Sequence, residues 1–302
     1  MANQLGKLTQ DVLSLRALEF IKKQFPALGA IGHDLAPTPV NYGATVTARI
    51  PVVPAVANYS TTTGYEAGDA VTVDVPVKID KHIHVSVNFG EQEISGTDRN
   101  LVDEQLEVAT YALGKKILAD AGALITPGNY AKNVEATVAN TGRDTFTALR
   151  KTLTGAPAIG RYALVNTDVF EALSNDQRII SVEFAREQPD YHAGVIRNVA
   201  GFDQIIEWPD LPPANKLTGF AGVKSALVFA ARVPKDPALL VPGLNIPGTI
   251  GVFTDPASGL SLMSRYFYDI KLGKLQMTLT LMYGVAKGNA DFGARLVEPT
   301  DG

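Results

Sequence analysis

Cysteine is missing from all 302 residues of the chain. That excludes disulfides, thiolate-held metals and a cysteine nucleophile, and fits a reducing compartment. Histidine is nearly as scarce: His33, His82, His84 and His192 are the whole supply, so general bases that titrate near neutrality are few. The single tryptophan, Trp208, precedes Pro209 and is expected in a core or interface. Long apolar runs are lacking too, since residues 226–231 fall far short of the ~20 that a membrane-spanning helix needs. Residues 1–10 have no apolar stretch behind their lysine, so no secretory signal is expected there, and no membrane partner. The net charge is −4, without the cationic excess of a dedicated nucleic-acid binder.

Signature motifs are equally sparse. Gly219, Gly222, Lys224 and Ser225 approach a phosphate loop, but Val223 stands where glycine must precede the lysine, and Lys224 reads as a solvated charge before a strand. His82 and His84 share one side of an expected strand, with Glu91 and Glu93 further along. On that polar face solvation is the ordinary outcome, and metal binding is not expected. Asp103, Glu104 and Glu107 lie on the polar side of a long helix and suit solvation or pairing between subunits. Asn58, Tyr59 and Ser60 match a glycosylation sequon, which means little without export. No catalytic, cofactor-binding or metal-ligating residue is therefore assigned, and no cofactor.

What the chain does have is pattern. Its 46% hydrophobic content is ample for a core, while 27 glycines and 18 prolines exceed the usual combined share of about 12% and favour turns and extended arms. Thr9 can cap a helix over 9–25, with Val12, Leu15, Leu18, Ile21 and Phe25 at three- and four-residue steps. Pro26 and Gly29 end it, and an extended connection follows to Tyr42. Residues 46–56 and 70–79 alternate as two strands of a long hairpin whose tip, 58–69, is rich in Thr, Ser and Gly and is expected to project. Pro51, Pro54 and Pro76 suit exposed edges. Residues 81–89 form a half-buried strand with Ile83, Val85, Val87 and Phe89 facing inward.

Thr97 or Asp98 then caps a helix of about 26 residues to Leu124, roughly 40 Å long, with a stripe of Val102, Leu106, Ala109, Leu113, Ile117, Ala121 and Leu124. Short helices are expected over 144–154, after the Asn166 cap and over 175–187; strands near 162–165, 194–199, 204–208 and 225–232; and terminal strands over 260–268 and 275–285. No fixed-period repeat occurs, so a solenoid is not expected.

This order of elements resembles the major capsid protein of tailed double-stranded DNA bacteriophages, the Hong Kong 97 type. The local wording is similar too: Asp255, Pro256, Ala257, Ser258, Gly259 and Leu260, then Arg265 to Asp269, then Met282, Tyr283, Gly284 and Val285; likewise Ala163 to Val169, and Ala200, Gly201 and Phe202 before the stretch 205–211. The resemblance implies an α+β capsid fold: an N-terminal arm (1–43), an extended hairpin (44–79), a peripheral domain with a spine helix (80–127), an apical domain (128–253) and C-terminal peripheral strands (254–302).

It also implies a structural, non-enzymatic subunit that forms the hexamers and pentamers of an icosahedral virion capsid, with hairpin and arm clasping neighbours, around double-stranded DNA held without sequence-specific binding. Assembly is expected in the host bacterial cytoplasm, with a separate scaffolding protein and a portal, because the arm begins almost at once where some members carry a scaffolding segment. Some members also crosslink a hairpin lysine to a neighbour, but no lysine occurs between Lys23 and Lys78. That crosslink is not expected. An encapsulin-type compartment is the nearest alternative reading, followed by a soluble α/β enzyme over 128–253 and by a tail or decoration protein.

Overall fold

The structure, a computed structural model, describes residues 26–35, 40–51, 59, 61–62, 72–96, 101–157, 159–176, 194–235, 249–254 and 261–299. The helices are α1 (Pro26–Ala30), α2 (Glu91–Ser95), α3 (Leu101–Gly122), α4 (Arg143–Thr152) and α5 (Thr167–Ser174). The strands are β1 (Gly32–Leu35), β2 (Thr45–Pro51), β3 (Thr72–Lys78), β4 (Lys81–Gly90), β5 (Asn133–Glu135), β6 (Arg161–Val165) and β7 (Val195–Val199), then β8 (Phe202–Glu207), β9 (Leu217–Val223), β10 (Leu227–Arg232), β11 (Thr249–Thr254), β12 (Ser261–Asp269), β13 (Lys274–Lys287) and β14 (Gly293–Val297).

The first sheet is organised by the 14-residue strand β13. Strand β4 runs antiparallel along one edge of it, while β12 and then β10 take successive stretches of the other; β11 pairs with β12, and β1 lies parallel to β10. Leu275, Met277, Leu279, Leu281 and Tyr283 of β13, with Ile83, Val85, Val87 and Phe89 of β4, present one apolar face. Helix α3 packs on that face through Ala109, Leu113, Ile117 and Ala121. Over the described residues it runs 22 residues, about 33 Å, and ends at Gly122 rather than at Leu124. At Gly122 the chain packs closely: a β-carbon would stand 2.7 Å from the Pro212 ring and 2.9 Å from the Trp208 indole. The expected caps Thr97 and Asp98 lie outside the described residues, as do the side chains of Val102 and Leu106.

The second sheet has the order β5-β14-β9-β6-β8-β7. Helices α4 and α5 cover one side through Phe146, Leu149, Val169, Phe170 and Leu173. Asn166 caps α5 as expected, its side chain accepting the Val169 amide at 3.0 Å. The helix expected over 175–187 begins at Asn175, which is instead the C-cap of α5; residues 177–193 lie outside the described set. The helix expected over 9–25 lies outside it as well.

Sheet membership does not follow the contiguous segments 128–253 and 254–302. Strands β10 and β11 belong to the first sheet, and β14 crosses back into the second. The physical reason is a pair of short crossovers. Residues 224–226 carry the chain from β9 to β10 and residues 288–292 from β13 to β14, and the two connections bond to each other: Gly288 and Asn289 donate amides to Ala226 and Ser225 at 2.9 and 2.8 Å. A β-carbon on Gly288 would lie 2.0 Å from the Ser225 carbonyl oxygen, so this close passage requires glycine. Tyr130 locks the junction from beneath, donating its hydroxyl to the Ala226 carbonyl at 2.7 Å while its own carbonyl accepts from Arg295 Nε at 2.8 Å.

Candidate assembly surfaces

The hairpin of β2 and β3 is the first candidate surface. Its ladder pairs Thr45 with Lys78 through Pro51 with Thr72. Its base is fastened by backbone bonds between Gly43, Ala44 and Ile79, at 2.8 and 2.9 Å, and by the Tyr42 hydroxyl donating to the Asp80 carbonyl at 2.5 Å. Ala48, Val75, Val77 and Ile79 bury against Val228, Ala230 and Met282 on the face of the first sheet opposite α3. Gly284 makes this possible by leaving room for the Lys78 backbone. The Arg49–Asp74 pair on the outer side, at 4.0 Å and well exposed, adds little. Of the expected tip, Tyr59, Thr61 and Thr62 are described, and all three are exposed; the rest of the tip, and Pro54 with the end of the expected strand before it, lie outside the described residues.

The far end of the first sheet is the second surface. The turn between β12 and β13 exposes Ile270 at 86% and Leu272 at 67%. Asp269 Oδ1 accepts the amides of Lys271 and Leu272 at 2.9 and 3.3 Å, and Gly273 takes a positive φ of 58°, so the two apolar side chains stand on a fixed turn. Beside it an open cavity of about 430 Å³ is lined by Glu91, Glu93, Leu272 and Lys274 among others. Its carboxylates are already engaged: Glu91 accepts the Tyr268 hydroxyl, and Glu93 accepts the Gly90 amide at 2.9 Å.

A polar cluster ties α3 to the sheet between these surfaces. Asp120 accepts the Tyr283 hydroxyl at 2.5 Å and pairs with Lys81 at 2.9 Å and Lys116 at 3.0 Å. Partial burial pushes the Asp120 carboxyl up, but the hydrogen bonds from Tyr283, Lys81 and Lys116 outweigh it and hold the group below its ordinary value. Burial and the Asp120 charge together raise the Tyr283 phenol, which stays protonated as the donor.

The side chains singled out from the sequence fall as follows. His82 and His84 are exposed on β4; His82 Nε2 bonds to Thr280 Oγ1 at 2.8 Å, and burial, His84 and Arg265 all lower its pKa. Glu91 and Glu93 lie beyond the other end of that strand, roughly 23 Å from His84 at the strand rise, and no group of three metal-binding side chains occurs among the described residues. Lys224 is exposed on the crossover turn, whereas Gly219 and Gly222 sit in the wholly buried strand β9. Trp208 is buried. Glu107 is exposed on α3, and the side chains of Asp103 and Glu104 lie outside the described set. Strands β9 and β14 and the turn apex at Ile270 and Leu272 were not expected from the sequence; two apolar residues flanking Lys271 in a turn were the available signal for the apex.

No protein-family model matches the chain, and no curated protein matches it. Solved structures do. The capsid structure of the cyanophage P-SCSP1u is 11% identical, with a TM-score of 0.55, covering 90% of this chain and 87% of that one. A Mycobacterium phage Che8 structure is 16% identical at a TM-score of 0.49, covering 93% and 90%. A virus-like particle from Pyrococcus furiosus is 13% identical at 0.49, covering 94% and 97%. The cyanophage match, nearly end to end on both chains, defines the fold: this chain has the α+β fold of a phage capsid subunit, in the Hong Kong 97 form that its order of elements implied.

Proposed function

We propose that the chain is a major capsid protein: a non-enzymatic subunit that assembles as hexamers and pentamers into the icosahedral shell of a virion around double-stranded DNA. The observation that carries this reading is the capsid fold, shared over 90% of the chain. The surfaces agree with it. The described residues of the hairpin tip, Tyr59, Thr61 and Thr62, are exposed and polar in composition, as a segment that contacts neighbours would be, and ordering such a segment costs entropy that those contacts offset. Ile159, at 85% exposure, and Ile270, at 86%, each stand on a turn of a different sheet, as residues covered on assembly would.

In this reading the second sheet is the body of the apical domain, and the first sheet with α3 is the peripheral domain. The net charge of −4 suits a shell whose lining lets DNA enter without being held, since each phosphate contact made by a cation strengthens binding. A scaffolding protein directs closure in the host cytoplasm, and a portal occupies one vertex. Expression with a scaffolding partner, followed by gradient sedimentation, tests the proposal. Fast-sedimenting closed particles are expected; a slow-sedimenting monomer in the partner's presence contradicts it.

A further inference from the structure

The face of the first sheet turned away from α3 carries cations without counter-ions. Residues paired across β12, β13 and β4 share that face in rows: Arg265 with Thr278 and Ser86, then Met263 with Thr280 and His84, then Met282 with His82. Arg265 and His82 lean on the middle row from opposite sides. Arg265 Nη2 donates to the Met263 sulfur at 3.3 Å, a weak acceptor, and its buried Nε has no hydrogen-bond partner. His82 Nε2 meets the Thr280 hydroxyl at 2.8 Å, and that hydroxyl gives its one proton to the Ile83 carbonyl at 3.1 Å. Thr280 therefore accepts from Nε2–H, and Nδ1 is the His82 nitrogen left to take a second proton.

Nothing acidic balances this cluster. Among the described residues no carboxylate pairs with Arg265, His82 or His84. Burial, His84 and Arg265 each push His82 towards its neutral form, and Asp80, two residues away, does not offset them. Arg232 of β10 shares the row of Met282 and His82 and is a further cation. Asp269 lies four residues beyond Arg265, about 13 Å along β12, with its Oδ1 taken by turn amides. The hairpin sets apolar side chains over Met282, pairs Arg49 with Asp74 on its outer side and leaves Lys78 exposed.

Strands β12 and β4, two spacings apart, are separated by roughly 10 Å, so side chains from both reach one small anion above Thr280. A guanidinium, two imidazoles and the Ser86 and Thr278 hydroxyls, 2.9 Å apart, are donors for an oxyanion. Donors arriving from three directions suit the several oxygens of a phosphate better than the two of a carboxylate. We propose that Arg265, His82 and His84 form a phosphate-binding site on this face of the sheet. The site goes beyond the capsid reading and does not depend on it.

The chain has only four histidines, so ring signals in proton–carbon NMR of unassembled subunits are few, and His82→Gln and His84→Gln assign two of them. Against chloride at matched ionic strength, inorganic phosphate is expected to raise the His82 pKa by roughly half a unit or more, because a bound anion favours the charged ring. His84 should shift with it, and Arg265→Gln should abolish both effects. A short DNA duplex in place of inorganic phosphate separates the sources: the same two signals moving assigns the site to backbone phosphates, and a response to inorganic phosphate alone assigns it to free phosphate. An unmoved His82 with both probes, or equal movement of all four histidines, overturns the proposal. So does an undiminished rise in folded R265Q; the parent titration decides alone if that variant does not fold.

Discussion

The carbonyl oxygen of Lys78 lies 2.0 Å from where a β-carbon on Gly284 would stand, so the base of the hairpin and the central strand of the first sheet meet backbone to backbone. Any side chain at 284 must push the hairpin off its seat on Val228, Ala230 and Met282. Gly284→Ala is expected to cost about 1–3 kcal/mol, the usual cost of overpacking. Gly128→Ala, where nothing lies within 4 Å of the added carbon, should stay within about 0.5 kcal/mol of the parent. Denaturant unfolding of the two variants measures the contrast.

Asp120 predicts a pH dependence. Its folded pKa is depressed, so its contribution is complete above the unfolded value and is lost as pH falls through the folded one. Asp120→Asn should destabilise by roughly 1–2 kcal/mol near pH 7, reduced from a fully buried pair because Lys81 and Lys116 are partly exposed. The gap between parent and variant should shrink as pH drops below about 4. Stability curves for both proteins across pH 2–8 check this; a gap that persists in acid would remove the ion pair from the account.

At the start of α5 the Asn166 side chain accepts the Val169 amide. Asn166→Ala should cost about 1 kcal/mol, and Asn166→Asp should cost little, because either oxygen caps the helix. Thermal melts of the two variants separate capping from any other role of the residue.

Ile270 and Leu272 are exposed on a turn held by Asp269. Changing both to Asp should leave subunit stability within about 0.5 kcal/mol of the parent and sharply lower the yield of closed particles. Stability and gradient profile, measured on the same preparation, distinguish a lost interface from a lost fold.

Local pattern made much of this fold legible. The alternation in β4 and β13, the paired runs of the hairpin, the Asn166 cap and the stripe of α3 each follow from side chains spaced along one element. Strand β9 was not legible: Gly219 and Gly222 drew notice only as an approach to a phosphate loop, yet they lie in a buried strand where β-carbons would press on the Leu164 and Phe292 carbonyl oxygens at 3.1 and 3.2 Å. The return of β14 to the second sheet was not legible either, because it depends on the crossover at Gly288 and on pairing with β9 some 75 residues earlier in the chain. The assembly surfaces were visible only in part. The polar hairpin tip announced itself by composition, whereas the apolar turn at Ile270 needed the sheet around it to show that it points outward.

Single-particle electron microscopy of the protein expressed with its scaffolding partner tests the central claim most directly. The account predicts closed icosahedral shells whose six- and fivefold capsomers are each built from copies of this chain, with hairpins lying over adjacent subunits. A population of monomers or small open oligomers under the same conditions would contradict it.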